Sequence, residues 1–202
     1  MYDPSLVPWG EVGYAVYKRT YSRQTADGKT EEWEDTVDRV IDACRDQLNV
    51  GFTKFEEGEL KKIMMELKGT VAGRFLWQLG TKTVDRLGLP SLQNCAFVVV
   101  DDPIRPFTWA FEMLMLGSGV GFNIQRENVY QLPKVKGRVK VERTDVNDAD
   151  FIVPDSREGW VELLKRVLEA SFVTGEDFTY ATHLIRSKGS AIKGFGGTAS
   201  GP

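Results

Sequence analysis

Cysteine and histidine are scarce in this sequence: Cys44 and Cys95 are its only thiols, and His183 is its only imidazole, among 202 residues. Two cysteines far apart make neither a disulfide framework nor a CxxC metal pair, and a single histidine rules out a histidine-rich metal site. A reducing compartment is the default, and His183 is expected in a structural hydrogen bond. No apolar run approaches a membrane span, and Met1 to Gly10 has no basic stretch leading into an apolar core, so the chain is expected in the cytoplasm. Charge of one sign is missing too. With 26 basic and 29 acidic side chains and a formal net charge of −3, the chain offers no general surface for nucleic acid or membrane. Internal repeats and low-complexity segments are absent. So is a dinucleotide fingerprint: Gly117-Ser-Gly-Val-Gly121 has GxGxG spacing, follows a helix where a strand is required, and lacks a suitably placed acid after it.

What is present is an ordinary globular balance, 42% hydrophobic and 27% charged, which excludes disorder over most of the length. Trp33, Val37, Val40, Ile41, Cys44 and Leu48 recur at helical spacing and predict an amphipathic helix with Cys44 on its buried stripe. Thr53 and Glu56 form a capping box that opens a second helix, ending near Lys68-Gly69, with Leu60, Ile63, Met64 and Leu67 facing the core. With the aromatic-rich opening, these make a helical unit. After Pro90, Cys95-Ala-Phe-Val-Val-Val100 is a continuous β-branched run suited to a strand covered on both faces. A helix over Arg105 to Leu116, the glycine turn and a strand over Val120 to Ile124 complete a βαβ unit, which implies a parallel sheet. Glu127 to Ile152 reads as polar and irregular. Asp155 and Glu158 have capping-box spacing before a helix whose apolar face is Trp160, Leu163, Leu164, Val167 and Leu168, and Phe178 to Ala181 is a candidate third strand.

Cys95 heads the first strand, directly after Gln93-Asn94. A thiol at a strand end can face a pocket, whereas a lone cysteine in an apolar run also reads as a small buried hydrophobe. Gly117, Gly119 and Gly121 would let backbone amides approach a phosphate or sugar; a tight helix-to-strand turn explains them equally. The tail from Gly194 through Gly196, Gly197 and Thr198 is too rich in glycine for a regular element, so it is either a ligand-contacting loop or a frayed end.

Trp9-Gly10 through Tyr17-Lys-Arg-Thr-Tyr21, Glu32-Trp33, Gly73-Arg-Phe-Leu-Trp77, Asn94-Cys95, Met115 to Phe122, Pro154 to Trp160 and Gly194 to Pro202 resemble, in order, segments of the monomeric, adenosylcobalamin-dependent ribonucleoside-triphosphate reductases. The resemblance covers nearly the whole chain. It implies an α/β fold: a helical N-terminal domain, residues 1–85, then the first strands of a ten-stranded reductase barrel, residues 86–202, incomplete in this chain. In that family the cysteine at the position of Cys95 is one half of a redox pair that supplies two electrons as the ribose 2′-hydroxyl leaves as water. A thiol delivering hydrogen to C2′ works only at contact distance. Asn94 and the glycines 117, 119 and 121 would then border the substrate, and Gly194, Gly196, Gly197 and Thr198 would form a loop coupling a dNTP or ATP effector to substrate choice.

The family's radical cysteine, its asparagine and glutamate neighbours and the second redox cysteine lie beyond the position of Pro202. Cys44 matches no family motif. The resemblance therefore implies a C-terminal reductase chain as partner, which would also bind most of the adenosylcobalamin, and a thioredoxin-like reductant. The stretch from Glu127 to Ile152 is shorter than its counterpart. There Lys134, Lys136, Arg138, Lys140 and Arg143 either contact an effector triphosphate or form a solvated basic strand. The expectation is a subunit or fragment of a split ribonucleotide reductase; a non-catalytic nucleotide-binding or regulatory remnant and a truncated product are the alternatives.

Overall fold

The computed structural model describes residues 9–25, 27–144, 146–192 and 198–202. They form two compact units, Met1–Gln93 and Asn94–Pro202. In the first, five helices follow one another: α1 (Glu11–Thr20), α2 (Trp33–Asp46), α3 (Lys54–Met65), α4 (Gly73–Gln78) and α5 (Lys82–Leu87), closed by a 3-10 turn over Leu89–Leu92. On α2 the predicted stripe is the core. Trp33, Val37, Val40 and Ile41 are buried, with Cys44 and Leu48 partly buried against them. Trp33 meets the rings of Trp9 and Tyr17 edge-on, at centroid distances of 4.7 and 5.6 Å, the arrangement that aromatic quadrupoles favour. Its indole N–H donates to the Met64 carbonyl at 3.2 Å, which ties α2 to α3.

The capping box on α3 forms as expected. Thr53 N–H donates to Glu56 Oε2 at 2.8 Å, and Glu56 N–H donates to Thr53 Oγ1 at 3.2 Å, so each side chain satisfies the other residue's backbone donor. The helix ends at Met65, before the expected stop. Leu67 takes a left-handed φ of 52°, and the N–H groups of Leu67 and Lys68 fold back onto Met64 and Ile63, closing the end with glycine-type geometry carried by a leucine. Of the expected core face, Met64 is buried and Leu60 and Leu67 are partly buried. Ile63 is a correction: it is exposed, because α3 touches the core along a narrower stripe than the periodicity suggested.

A buried ion pair joins the helices at their centre. Arg39 Nε donates to Glu31 Oε1 at 2.6 Å and Arg39 Nη2 to Glu31 Oε2 at 2.9 Å; the same guanidinium also donates to the carbonyls of Leu76 (2.9 Å) and Leu79. Glu31 Oε2 further accepts from the Thr36 hydroxyl at 2.7 Å and from Arg23 N–H at 3.1 Å. Burial by itself would raise the Glu31 pKa. The Arg39 hydrogen bonds and charge, with the Thr36 hydroxyl, outweigh it and hold the carboxyl below the usual range. Gly80 makes room for this arginine: at φ 81° a Cβ there would lie 2.5 Å from Arg39 Cγ.

In the second unit, β1 (Cys95–Val99), α6 (Arg105–Met115) and β2 (Gly119–Asn123) form the predicted βαβ unit, with β1 and β2 parallel and Cys95 opposite Gly119. Beyond it come α7 (Arg126–Val129), β3 (Val141–Arg143), β4 (Phe151–Ile152), α8 (Arg157–Glu169), a π-helical turn over Ala170–Thr174 and β5 (Phe178–Ala181). The stretch read as irregular thus contains one short helix and two short strands. The predicted third strand is present, but it is the centre of a separate parallel sheet ordered β3-β5-β4. Two further expectations are corrected. The run from Cys95 is not covered on both faces: Phe97 is 64% exposed, since among the described residues β1 has one neighbouring strand and one crossover helix. The cap of α8 is Ser156, whose Oγ accepts from Gly159 N–H at 3.0 Å, and not Asp155. Ser156 is the last extended residue, and Asp155 is drawn to Arg186 Nε at 2.9 Å. No helix among the described residues is long and apolar enough to cross a membrane.

Two outcomes test this packing. Glu31→Gln leaves the Arg39 guanidinium buried without a counter-charge and should cost about 3–5 kcal/mol in chemical denaturation. Because the Glu31 pKa is depressed on folding, its contribution is complete above the ordinary glutamate pKa and disappears as pH falls through the lower folded value. The stabilities of wild type and variant should therefore converge in acid. Gly80→Ala, which adds a Cβ against Arg39 at a left-handed backbone position, should cost roughly 2 kcal/mol by the same measurement.

Candidate functional site

The site grows from the way α6 ends. Gly117, at φ 80°, takes the chain out of the helix; its N–H donates to Leu114 O at 2.9 Å and that of Ser118 to Met113 O at 2.9 Å. This is the doubly bonded helix stop that favours glycine, so the backbone conformation of Gly117 is accounted for by helix termination. Two residues on, Gly119 N–H donates to Asn94 O at 2.8 Å, and Val100 N–H closes onto Asn123 O at 3.0 Å at the other end of the pair. The register is thereby fixed along its whole length.

Paired residues of adjacent strands project to the same side, and alternate residues along a strand share it. Cys95, Phe97, Gly119 and Gly121 therefore share one face, and all four are exposed. On the other face Ala96, Val98 and Val120 are half-buried and Val100 is buried, while Phe122 is exposed. Beside Cys95 the floor is bare: a Cβ built on Gly119 would meet only the Asn94 carbonyl, at 3.8 Å. Asn94 is itself exposed and lends the register its backbone oxygen. Cys95 stands at the amino end of β1, whereas the general rule for ligand crevices in α/β sheets concerns carboxyl ends. What exposes this thiol is thus the cleared strand beside it, a feature that reading β1 alone could not reveal; the signal was the GxG spacing inside β2.

The other candidates are spread out. Cys44 is half-buried on α2, and burial raises its pKa. His183 is exposed and makes no hydrogen bond among the described residues, against expectation. Lys134, Lys136, Arg138, Lys140 and Arg143 are all exposed on the approach to β3 and along it, with Lys140 paired to Glu142 at 2.8 Å. Thr198 bridges to Ala191; Gly194, Gly196 and Gly197 lie outside the described residues. Among the described residues no group of three His, Cys, Asp or Glu side chains is placed to hold a metal.

Comparison with known proteins decides the family. Residues 2–81 match a family model described as the ribonucleotide reductase alpha domain, and residues 126–202 match one described as the insertion domain of B12-dependent ribonucleotide reductase. A crystal structure of a B12-dependent (class II) ribonucleotide reductase superposes with a TM-score of 0.76 and 30% identity, over 97% of this chain and 35% of that one. The chain belongs to the B12-dependent ribonucleotide reductase family. The adenosylcobalamin-dependent ribonucleoside-triphosphate reductase of Euglena gracilis is 34% identical over 99% of this chain and 30% of its own length. That of Lactobacillus leichmannii is 34% identical over 96% and 34%. The chain thus spans about a third of the length of the relatives it matches, and corresponds to their N-terminal portion.

The Lactobacillus match runs over 253 residues, more than the 202 this chain has, so that relative carries segments absent here. Sequence reasoning anticipated a shortened stretch, but not that the chain from residue 126 onward belongs to an insertion domain. The only hint was the sudden change to polar, basic sequence after β2.

The two thiols should behave oppositely. Cys95→Ser, on an open face, should change stability by no more than about 0.5 kcal/mol. Cys44→Ser, which places a hydroxyl against the α2 core, should cost about 1 kcal/mol or more. Cys95 should also react with maleimide well before Cys44, as read by peptide mass spectrometry; the reverse order would contradict the exposed placement.

Proposed function

We propose that this chain forms the N-terminal part of an adenosylcobalamin-dependent ribonucleotide reductase, in which Cys95 is one half of the reducing thiol pair. The observation that carries the proposal is the open face on which Cys95 stands directly across from Gly119. A ribose must come within contact distance of the thiol, and a side chain at position 119 would occupy that space. The chemistry is a two-electron reduction. As the 2′-hydroxyl leaves as water, two thiols give up two electrons and two hydrogens and become a disulfide, which an external dithiol of the thioredoxin kind reopens. Asn94, Gly119 and Gly121 border the sugar, while Gly117 shapes the turn that presents them.

Residues 86–202 would supply the first strands of the reductase barrel and the insertion domain, and residues 1–85 a helical domain before them. The remaining strands, the radical cysteine and the second redox cysteine come from the remainder of the reductase. Adenosylcobalamin, when bound, supplies the radical that starts turnover. Two recesses of this chain, about 280 Å³ around Trp9, Tyr17 and Trp33 and about 330 Å³ around Phe52, Phe55 and Ile63, are each too small and too apolar for a corrinoid, and its holding groups are assigned to that remainder. The exposed basic run of Lys134, Lys136, Arg138, Lys140 and Arg143 offers charge for the triphosphate of a dNTP or ATP effector, with Gly194, Gly196, Gly197 and Thr198 as the loop relaying its identity.

The test is complementation. Supplied with the remaining portion of a class II reductase and adenosylcobalamin, the chain should reduce ribonucleotides. Cys95→Ser should keep substrate affinity within about twofold, a change below roughly 0.5 kcal/mol, while losing repeated turnover on an external dithiol. Equal multiple turnover in wild type and Cys95→Ser would reject the assignment, and nucleotide binding without any reduction would favour a regulatory module.

A further inference from the structure

The exposed face that carries Cys95 also carries Phe97, which the redox chemistry does not use. Phe97 follows Cys95 by two residues on β1, roughly 6.6 Å along the strand, and pairs with Gly121. Its ring leans over that glycine: a Cβ at position 121 would lie 3.1 Å from Phe97 Cδ2 and 3.6 Å from Cε2. One side of the ring is therefore seated on β2 backbone. The rest of the side chain is open, 64% exposed among the described residues.

The two glycines thus play different parts. Gly119 leaves a gap beside the thiol, and Gly121 lets an aromatic ring lie low at the border of that gap. A large apolar ring held outward beside a thiol gains hydration free energy when a flat apolar group covers it. The spacing suits a nucleoside whose sugar lies over Gly119 with C2′ at the Cys95 sulfur. Its base then reaches along β1 to the ring.

Resting on the reading of Cys95 as a substrate-facing thiol, we infer that Phe97 is a positioning residue, a stacking platform for the nucleobase that sets the ribose against Cys95. Any of the bases fits such a platform, because every base has a π face. Phe97 accordingly contributes affinity and placement, and discrimination among bases is left to other groups.

Phe122 provides an internal control. It is also an exposed phenylalanine, 58% exposed, on the neighbouring strand, but it pairs with Val98 and so projects from the opposite face.

The experiment uses the 202-residue chain and reads alkylation of Cys95 by maleimide through peptide mass spectrometry, with labelling of Cys44 as reference. The probes are cytidine triphosphate, and ribose 5-phosphate with inorganic triphosphate as the baseless counterpart. Cytidine triphosphate should slow labelling of Cys95 and leave Cys44 unaffected. Phe97→Leu should weaken that protection at least about fivefold in apparent affinity, the low end of base–aromatic stacking, bringing it to the level of the baseless probe. Phe97→Trp and Phe122→Leu should keep it.

Protection that is equal in wild type and Phe97→Leu overturns the role of Phe97 and leaves the assignment of Cys95 standing. A loss in Phe122→Leu that matches the loss in Phe97→Leu overturns that role as well, since the effect would then be structural. Absence of protection in the wild type overturns both this inference and the reading beneath it.

Discussion

One backbone hydrogen bond decides what the candidate site can be: Gly119 N–H to the carbonyl of Asn94, at 2.8 Å. It begins the parallel ladder and puts Cys95 across from a glycine. A slip of one residue would turn every side chain of β2 to the other face and set Ser118 or Val120 beside the thiol. The register is in turn imposed from the helix side. Parallel strands need a crossover, and α6 must end at a point that delivers Gly119, neither neighbour, to Asn94. The left-handed Gly117 and the two bonds closing α6 perform that delivery. The three glycines form one device with three physical duties: ending a helix, clearing space beside a thiol and seating an aromatic ring.

The helical unit is held by a different kind of constraint. Its core is aromatic and aliphatic, yet its centre is the charged pair of Glu31 and Arg39, through which the chain before α2, α2 itself and the carbonyls around the end of α4 are fastened together. A buried ion pair is weak evidence for net stability, because desolvation offsets much of the attraction. Its geometric effect is stronger evidence of purpose. A planar guanidinium with two carboxylate contacts and two carbonyl contacts admits few arrangements of the segments that supply them, and Gly80 keeps that planar group from being displaced.

How much of this was legible in the sequence varies by element. The α2 stripe, the α3 capping box and the β1-α6-β2 unit follow from periodicity and local capping chemistry, and they stand where the pattern put them. Features that depend on distant partners were not legible. Nothing in Asp155 announces that Arg186 will claim it and leave Ser156 to cap α8. Nothing in Phe178 to Ala181 says that it will pair with two short strands instead of β1. Ile63 looked like core because it lies at helical spacing from Leu60 and Leu67, but which part of an apolar arc is covered depends on the neighbouring helix. For the site, Cys95 was visible as a residue and ambiguous as a group, and family resemblance alone gave it a role. The pairing with Gly119 gave it a place.

Composition is a poor guide to a thiol's role, because the same residue type is chosen for opposite reasons. Cys44 and Cys95 both lie in apolar stretches, and both would be counted as small hydrophobes. On α2 the thiol is half-buried against the core, and burial raises its pKa. On β1 the thiol stands on the exposed face, directly across from Gly119. Phe97 shares that face, with one side of its ring seated over Gly121 of β2. What the two residues have in common is position: both lie on the exposed face of β1, each opposite a glycine of β2.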